Sequence, residues 1–268
     1  MPAEFGILFL GDIVGRTGRR ALDKFLPGLI KKHAPSLIVA NGENAAGGSG
    51  VTEDIGKDLF LHVDVLTSGN HIWDKKESLP YLEREPRLLR PANYPAVNPG
   101  RSSYVFQAAD GVKAAVLNLQ GRVFMEPLDC PFLRADQEVG RLRAETPIIL
   151  VDVHAEATSE KQALGWYLDG RVSAVVGTHT HVPTADERVL PKGTAYITDA
   201  GMAGGRDAVI GIAREQALQR FLTSRPQRFE PSREGLFLSG VFIKVDAGTG
   251  KALSIVREVL AEDGRHED

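Results

Sequence analysis

Five apolar runs of this sequence end in polar residues of the kinds that bind metal ions. The set contains carboxylates, amides and imidazoles, and its members are Asp12, Glu43, Asn44, Asn70, His154, His179 and His181. Carboxylate and amide oxygens together with imidazole nitrogens suit manganese, iron, zinc or nickel, and geometry decides among these metals. Seven ligands are too many for one tetrahedral ion, but they suit two octahedral ions that share a carboxylate. The set therefore predicts a metal site.

The segment Thr-His-Thr-His at residues 178–181 is the part of this set that is hardest to explain by structure alone. On extended backbone the imidazoles of His179 and His181 leave on the same side, so they could bind one centre or two adjacent ones. Each other member has a simple explanation when taken alone. Aspartate and asparagine are common in turns and helix caps, and a lone histidine is often only hydrogen-bonded. The combination, rather than any single residue, favours a metal site.

The turn after the first apolar run, GDIVGRTG at residues 11–18, has a second interpretation. Such a turn could bind a phosphate with backbone amides, as dinucleotide-binding loops do. It lacks the G-x-G-x-x-G spacing, however, because Ile13 occupies the place of the second glycine. The interpretation also requires the later histidines to be accidental. We therefore reject it and predict Asp12 as a metal ligand, with Gly15 and Gly18 keeping the backbone and Arg16 near the site.

Short apolar runs alternate with segments of helical periodicity along the first part of the chain. This pattern predicts strands at 5–10, 36–40 and 63–67, and helices at 17–33 and 53–62. Pro27 and Gly28 interrupt the first helical pattern. Strands and helices that alternate at this spacing indicate βαβ units with a parallel sheet. Ligands bind beyond the carboxyl ends of such strands, so we expect the polar residues to meet at one rim.

The rest of the chain predicts further strands and helices of one domain over residues 1–268. We expect a surface excursion at 75–100 with a short helix at 78–84, a hairpin of strands 102–108 and 112–119, helices at 132–143, 159–168 and 214–222, and strands at 148–151, 173–176, 195–198, 236–245 and 252–259. The mixture indicates an α/β protein in which two sheets pack together with helices outside.

Composition restricts the classes of partner. The 268 residues include 32 lysines and arginines against 35 acidic residues, so nothing favours duplex nucleic acid. No stretch approaches the ~20 apolar residues of a membrane span, and the N-terminal segment lacks the features of a signal peptide. We therefore expect a cytoplasmic protein that does not bind membranes. Cys130 is the only cysteine, which excludes an internal disulfide and a thiolate metal cage.

Four segments of the sequence, LGDIVGRTGR, IVANGENAAGG, TSGNHIWD and VVGTHTHVPTAD, resemble the ordered motifs of the calcineurin-like metallophosphoesterases. The resemblance runs from about residue 5 to residue 212. The common first motif of that superfamily is D-x-H, whereas Asp12 is followed by Ile13 and Val14, and Glu43 stands where an aspartate is usual. Both departures are shared by the YmdB-like subfamily of bacterial cyclic-nucleotide phosphodiesterases, so the resemblance is to that group.

This resemblance implies a four-layer α/β/β/α sandwich, with two mixed β-sheets flanked by helices, and two divalent or trivalent ions, iron or manganese or both. It implies that the first ion is held by Asp12, Glu43, Asn44 and His181, and the second by Glu43, Asn70, His154 and His179. Glu43 would bridge the ions, and His71 would be the proton donor.

The resemblance also implies a substrate class, namely small cyclic nucleotides and above all 2′,3′-cyclic nucleotides. Two ions that share a water lower its pKa, so that bridging hydroxide attacks the phosphorus while a histidine protonates the leaving oxygen. Asn44, Arg16 and Arg206 are the candidate substrate contacts. Two alternatives stay open, a broad-specificity metal-dependent phosphatase and a nucleotide-sensing regulatory protein with little turnover. The chain is also a candidate homo-oligomer, either a dimer or a tetramer.

Overall fold

The computed structural model describes residues 4–262 as two packed β-sheets with helices against both outer faces. Its strands are β1 (Glu4–Ile13), β2 (Leu37–Asn41), β3 (Val65–Thr67), β4 (Ser103–Gln107), β5 (Lys113–Gln120), β6 (Ile149–His154), β7 (Ala174–Thr178), β8 (Arg188–Val189), β9 (Ala195–Ile197), β10 (Met202–Gly205), β11 (Leu236–Asp246) and β12 (Ala252–Ala261). Its α-helices are α1 (Gly15–His33), α2 (Glu53–Leu59), α3 (Ser78–Arg84), α4 (Pro131–Leu142), α5 (Thr158–Leu168) and α6 (Arg214–Thr223).

Both sheets have six strands and are mixed. The strand order is β12-β11-β10-β1-β2-β3 in the first sheet and β4-β5-β6-β7-β9-β8 in the second. In the first sheet β1 runs parallel to β2 and β10, and β2 runs parallel to β3, whereas β11 and β12 are antiparallel additions. In the second sheet β5, β6, β7 and β9 are parallel, and the edge strands β4 and β8 are antiparallel. The predicted sandwich is confirmed.

Strand β1 illustrates why the sheets pack in this way. Its side chains alternate between two apolar clusters, because successive residues of a strand point to opposite faces. Ile7 and Phe9 lie in the cluster between the two sheets, while Leu8 and Leu10 pack beneath α1 on the other face. All four are fully buried. A strand buried on both faces reads as a continuous apolar run, which is the pattern at the start of this sequence.

The predicted helix at 17–33 is confirmed, since α1 continues through Pro27 and Gly28 to His33. Proline removes one backbone donor and strains the preceding turn, at a cost of about 3 kcal/mol. Burial of Leu22, Leu26 and Leu29 against the first sheet offsets that cost. The second helix is shorter than predicted and ends at Leu59.

The segment at 88–94 also differs from its prediction, because it is buried rather than a surface excursion. Its backbone joins the two sheets. The Leu89 amide donates to Leu66 of β3 at 2.8 Å, and the Ala92 amide donates to Asn118 of β5 at 2.9 Å. A surface segment was expected because proline and charged residues are common in loops. In the folded chain, the backbone of residues 88–94 instead supplies hydrogen bonds to strands β3 and β5.

Strands β8 and β10 were not predicted from the sequence. The first has two residues, and the second is Met-Ala-Gly-Gly, which has little intrinsic preference for a strand. Strand β10 is held by its neighbour, since the Asp12 amide donates to the Gly201 carbonyl at 3.0 Å and the Val14 amide to that of Ala203 at 2.8 Å. Among the described helices, none has the length and apolar character that crossing a membrane requires.

Candidate metal centre

The predicted ligands meet at one rim, and both sheets contribute to it. Asp12 lies near the end of β1, Glu43 and Asn44 follow β2, and Asn70 begins a short 3₁₀ helix after β3. These residues belong to the first sheet. From the second sheet come His154 at the end of β6, and His179 and His181 just after β7. The rim is therefore the common carboxyl edge of two packed sheets rather than of a single sheet.

One group of ligand atoms surrounds Nε2 of His154. This nitrogen lies 3.0 Å from Oε1 of Glu43, 3.3 Å from Oδ1 of Asn70 and 3.0 Å from Nδ1 of His179. The ligand atoms of Glu43, His154 and His179 all lie within 4.8 Å of one another. Four potential donors from four different segments thus converge on one small volume.

A second group lies beside the first and surrounds Nε2 of His181. This nitrogen is 3.2 Å from the Asn44 side-chain amide and 3.7 Å from Oδ1 of Asp12. The Asn44 amide also lies 3.1 Å from Oε1 of Glu43. Glu43 therefore contacts members of both groups, as does Asp12, whose Oδ2 accepts a hydrogen bond from the His179 amide at 3.1 Å.

Each of the three imidazoles uses one ring nitrogen for a partner outside the two groups and directs the other nitrogen inward. The outer contacts are His154 Nδ1 with Thr178 Oγ1 at 3.0 Å, His179 Nε2 with Glu156 Oε2 at 3.2 Å, and His181 Nδ1 with the Ile210 carbonyl at 2.8 Å. A hydrogen bond of this kind fixes the ring and its tautomer, as it does in histidines that bind metals.

Burial and charge make this cluster costly without a cation. Asp12, Glu43 and His154 are fully buried, and Oδ1 of Asp12 has no hydrogen-bond partner among the described residues. Burial raises the pKa of Asp12. For Glu43, burial also favours the neutral acid, but the charge and hydrogen bond of His154 outweigh it and lower the pKa to about 2.

The pKa values of His154 and His179 shift in opposite directions. Burial disfavours the charged form of His154, yet attraction to Glu43 and Asp12 prevails and raises its pKa to about 9. Burial lowers the pKa of His179 to about 3, and repulsion from His154 acts in the same direction. A cation bound among these groups would neutralise the buried carboxylates.

Gly69 allows this convergence because a larger residue has no space there. A Cβ atom at position 69 would lie 2.0 Å from Cδ2 of His154 and 2.5 Å from Oε2 of Glu43. Together with the unpartnered Asp12 oxygen and a set of nitrogen and oxygen donors, this close approach fits a site for divalent metals.

Replacing Gly69 with alanine is therefore expected to displace His154 and Glu43 and to abolish metal loading, measured as metal per chain by inductively coupled plasma mass spectrometry. The matched control is Gly140→Ala in α4, where an added Cβ meets nothing within 4 Å. It should keep full loading and gain up to about 1 kcal/mol of stability. Equal metal content in the two variants would contradict this role of Gly69.

The backbone at His179 and His181 is not extended, contrary to the sequence-based expectation. The φ angles of these residues are 100° and 63°, in the left-handed region that histidine rarely adopts. Each such residue costs about 1–3 kcal/mol unless its surroundings hold it. The His179 amide donates to Oδ2 of Asp12 at 3.1 Å, and the intervening Thr180 donates to Asp199. The two imidazoles reach separate groups because the chain turns between them.

Three buried residues that support His154 were missed by sequence analysis. Thr178 Oγ1 donates to Asp152 at 2.7 Å and so accepts from Nδ1 of His154, while Asn41 donates to Asp152 at 3.1 Å. Burial raises the pKa of Asp152 to about 7. The sequence spacing could have indicated the role of Asp152, because it lies two residues before His154 and therefore shares its face of β6.

Thr178→Val should lower metal affinity about 10–100-fold, because it removes the acceptor that orients His154 while preserving side-chain shape. Thr178→Ser, which keeps the hydroxyl, should restore most of the affinity. Isothermal titration with manganese measures both. Equal affinity for the valine and serine variants would exclude a positioning role for the hydroxyl.

His71 lies at the exposed side of the cluster, with 41% of its side chain accessible. Its backbone amide donates to Oε2 of Glu43 at 3.1 Å, which ties it to the ligand set. Its Nδ1 lies 2.9 Å from a carboxylate oxygen of Asp74. His71 is thus held through its backbone amide and one ring nitrogen, while its side chain stays partly exposed beside the cluster.

The two candidate phosphate contacts occupy different surroundings. Arg16 is exposed at the start of α1, next to Gly15, whose amide donates to the Asn44 carbonyl at 2.9 Å. Arg206 is exposed and makes no ion pair with any residue in 4–262. Both stay predictions. Gly18 has another role than expected, because a Cβ there would lie 2.3 Å from the Ala203 carbonyl, so it allows α1 to pack against β10.

Comparison with known proteins identifies close relatives over most of the chain. The sequence profile of a family described as YmdB-like protein matches residues 8–257. A Bacillus subtilis (strain 168) protein named 2′,3′-cyclic-nucleotide 2′-phosphodiesterase is 51% identical over 258 residues, which cover 96% of this chain and 97% of that protein.

Two solved structures share the fold. A hypothetical protein from Thermus thermophilus is 42% identical with a TM-score of 0.89, and the match covers 96% of this chain and 100% of that one. A structure described as a novel phosphatase from Mycoplasma pneumoniae is 36% identical with a TM-score of 0.92, covering 99% of this chain and 96% of that one.

Proposed function

The chain belongs to the YmdB-like family, and we propose that it is a metal-dependent phosphodiesterase that hydrolyses small cyclic nucleotides. Its preferred substrates are 2′,3′-cyclic nucleotides. The observation that carries the proposal is the convergence of seven side chains with nitrogen or oxygen donors, from both sheets, among them the buried carboxylates of Asp12 and Glu43. The name of the Bacillus subtilis relative supports the choice of substrate.

We propose that the centre holds two ions, with iron and manganese as the expected metals. The first would be bound by Asp12, Glu43, Asn44 and His181, and the second by Glu43, Asn70, His154 and His179. The two groups of close contacts around His181 and His154 support this division, and the contact of Glu43 with both supports its role as the bridge. Nitrogen and oxygen donors without sulfur suit either metal.

Bound ions of this kind supply a nucleophile from water near neutral pH and neutralise the charge of the phosphoryl oxygens. The chain's own residues complete the chemistry. The Asn44 side-chain amide would donate a hydrogen bond to a phosphoryl oxygen. His71 gives a proton to the ribose oxygen as its bond to phosphorus breaks, and Asp74 holds the Nδ1–H of His71 so that Nε2 faces the substrate.

A second candidate is a broad-specificity phosphatase, which is favoured by the description of the solved Mycoplasma pneumoniae structure as a phosphatase. The two candidates differ in the bond that is broken. A diesterase opens the cyclic phosphate by adding water across one phosphorus–oxygen bond and leaves a nucleoside monophosphate. A phosphatase removes the terminal phosphate of a linear monoester.

A substrate panel with the manganese- or iron-loaded protein separates these functions. It contains 2′,3′-cyclic AMP, 3′,5′-cyclic AMP, 3′-AMP and p-nitrophenyl phosphate. We expect kcat/KM for 2′,3′-cyclic AMP to exceed that for each of the others by at least about tenfold, which is roughly 1.4 kcal/mol of transition-state preference. The expected product is 3′-AMP without free phosphate. Faster release of phosphate from the monoesters would support the phosphatase instead.

A further inference from the structure

A cavity of about 640 Å³ lies beside α1, next to the candidate metal centre but lined by none of its seven proposed ligands. Its lining is strongly basic and includes Arg16, Arg19, Arg20, Arg228 and Arg233. Glu230 is the acidic residue of the lining, and Phe229 and Ile55 are its large apolar side chains. The arginines come from two segments that are distant in sequence, the first turns of α1 and the stretch at 228–233.

These arginines have no close carboxylate partner within the described part of the chain, although Arg19 donates to the Ala45 carbonyl at 2.5 Å. None of the five forms an ion pair with a carboxylate of residues 4–262. Burial lowers the pKa of Arg19; attraction to Asp58 opposes this shift in part, and repulsion from Arg16 adds to it. Guanidinium groups bind phosphates through two parallel hydrogen bonds and stack on flat rings. A basic cavity in which five guanidinium groups lack close ion pairs and outnumber the acidic lining residue therefore indicates a ligand with several negative charges.

The cavity and the metal centre share a wall, the loop at 42–50. Asn44 belongs to the ligand set, and Gly47, three residues later, lines the cavity. Three trans peptide units span at most about 11 Å. The Gly15 amide donates to the Asn44 carbonyl at 2.9 Å, and Pro231 packs against Gly15 and Gly48. One extended ligand is therefore long enough to place its end at the metal centre and the adjoining segment in the cavity.

We propose that the arginine cavity binds the nucleotides that precede the terminal cyclic phosphate of a short single-stranded RNA. This inference rests on the proposed function, because it extends the substrate from a mononucleotide to the 3′ end of an RNA chain. A 2′,3′-cyclic phosphate requires a ribose, and an RNA end that carries one has a phosphodiester on its 5′ side. The arginines bind those diester phosphates, while the cyclic phosphate lies at the metal centre.

Phe229 favours a polynucleotide over a free polyphosphate. Its side chain is 47% exposed and lies among the arginines of the cavity. Sites for single-stranded nucleic acids combine a basic groove with aromatic rings on which bases stack, and each stacked base contributes about 1–3 kcal/mol. A site for inorganic or terminal phosphates alone needs no such ring. The modest overall charge of −3 is compatible with this function, because the basic groups are local.

The binding test uses the full-length metal-free protein, so that no turnover occurs. A fluorescein-labelled RNA hexamer with a 2′,3′-cyclic phosphate end is titrated by fluorescence anisotropy at several salt concentrations. The test variant is Arg228→Gln/Arg233→Gln. The matched control is Arg143→Gln/Arg188→Gln, which removes the same charge from exposed arginines elsewhere.

We expect the test variant to bind the hexamer about tenfold more weakly, with the slope of log K against log salt reduced by about 1.4, since each lost phosphate contact contributes about 0.7. The control should match the unchanged protein. Equal losses in both variants would overturn the proposal. Displacement of the labelled hexamer by ATP at lower concentrations than by unlabelled hexamer would also overturn it, in favour of a nucleoside triphosphate site.

A kinetic arm separates this inference from the proposed function. With the metal-loaded protein, the test variant should keep its catalytic efficiency toward 2′,3′-cyclic AMP and lose about tenfold for the hexamer. Parallel losses for both substrates would contradict a separate RNA site. Absence of hydrolysis of any cyclic phosphate by the unchanged protein would refute the proposed function, whereas the binding comparison would still decide whether the cavity binds RNA.

Discussion

Replacing Glu43 with glutamine is expected to empty the metal centre and to lower kcat/KM for 2′,3′-cyclic AMP by about 10³-fold or more. Glu43 is a fully buried carboxylate whose Oε1 lies close to side chains of both candidate ligand groups. A neutral amide cannot neutralise two neighbouring cations, and each supplies several kcal/mol of transition-state stabilisation. Metal per chain, measured by inductively coupled plasma mass spectrometry after loading, should fall from two ions to less than one.

The control for this variant is Glu53→Gln. Glu53 is a partly exposed residue at the start of α2 and forms its ion pairs with Lys57 and Arg84. It should retain both ions and full activity. A circular dichroism spectrum of Glu43→Gln that matches the unchanged protein would show that the fold persists. Two ions per chain with undiminished turnover in that variant would exclude the bridging role of Glu43.

His71→Ala is expected to separate metal binding from turnover. The variant should keep two ions per chain, because the His71 side chain lies outside both ligand groups and contacts Asp74. Its kcat for 2′,3′-cyclic AMP should fall about 10²–10⁴-fold, which is the usual contribution of a general acid. Stopped assays by liquid chromatography, with metal content measured on the same sample, test both parts.

The choice of leaving group makes this test specific. A general acid matters little when the leaving group is already a stable anion. The same variant should therefore lose far less activity with bis(p-nitrophenyl) phosphate than with 2′,3′-cyclic AMP. Equal losses with both substrates would assign His71 a structural role, and near-normal turnover with normal metal content would remove it from the mechanism.

The clustering of the candidate ligands could be predicted from the sequence because strand ends are easy to recognise. Apolar runs locate β1, β6 and β7, and the polar residues that follow them must lie at the carboxyl edge of a parallel sheet. The prediction did not include the fact that two sheets share this edge. Strand periodicity indicates which elements form a sheet, but it does not indicate which sheets pack together.

The backbone around the site could not be predicted in the same way. His179 and His181 adopt left-handed conformations that run against their local preferences. The hydrogen bonds that hold this turn come from Asp12 and Asp199, which lie outside the segment itself. Local propensity therefore predicts an extended segment, and only the folded environment selects the turn.

The residues that support His154 and the arginines of the cavity could not be predicted from the sequence as groups. Thr178 and Asp152 form a chain of hydrogen bonds to His154, but each has an ordinary place in a buried strand. Arg16 was a candidate phosphate contact from its position near Asp12, whereas Arg228 and Arg233 lie in a segment without a motif. Only the folded structure shows that Arg228 and Arg233 lie close to α1.

The most direct test of the central claim is anomalous X-ray diffraction from crystals soaked with manganese or iron, recorded at the absorption edge of each metal. We expect two anomalous peaks per chain, one enclosed by Asp12, Glu43, Asn44 and His181 and the other by Glu43, Asn70, His154 and His179. A single peak, peaks away from these side chains, or no peak after soaking would contradict it.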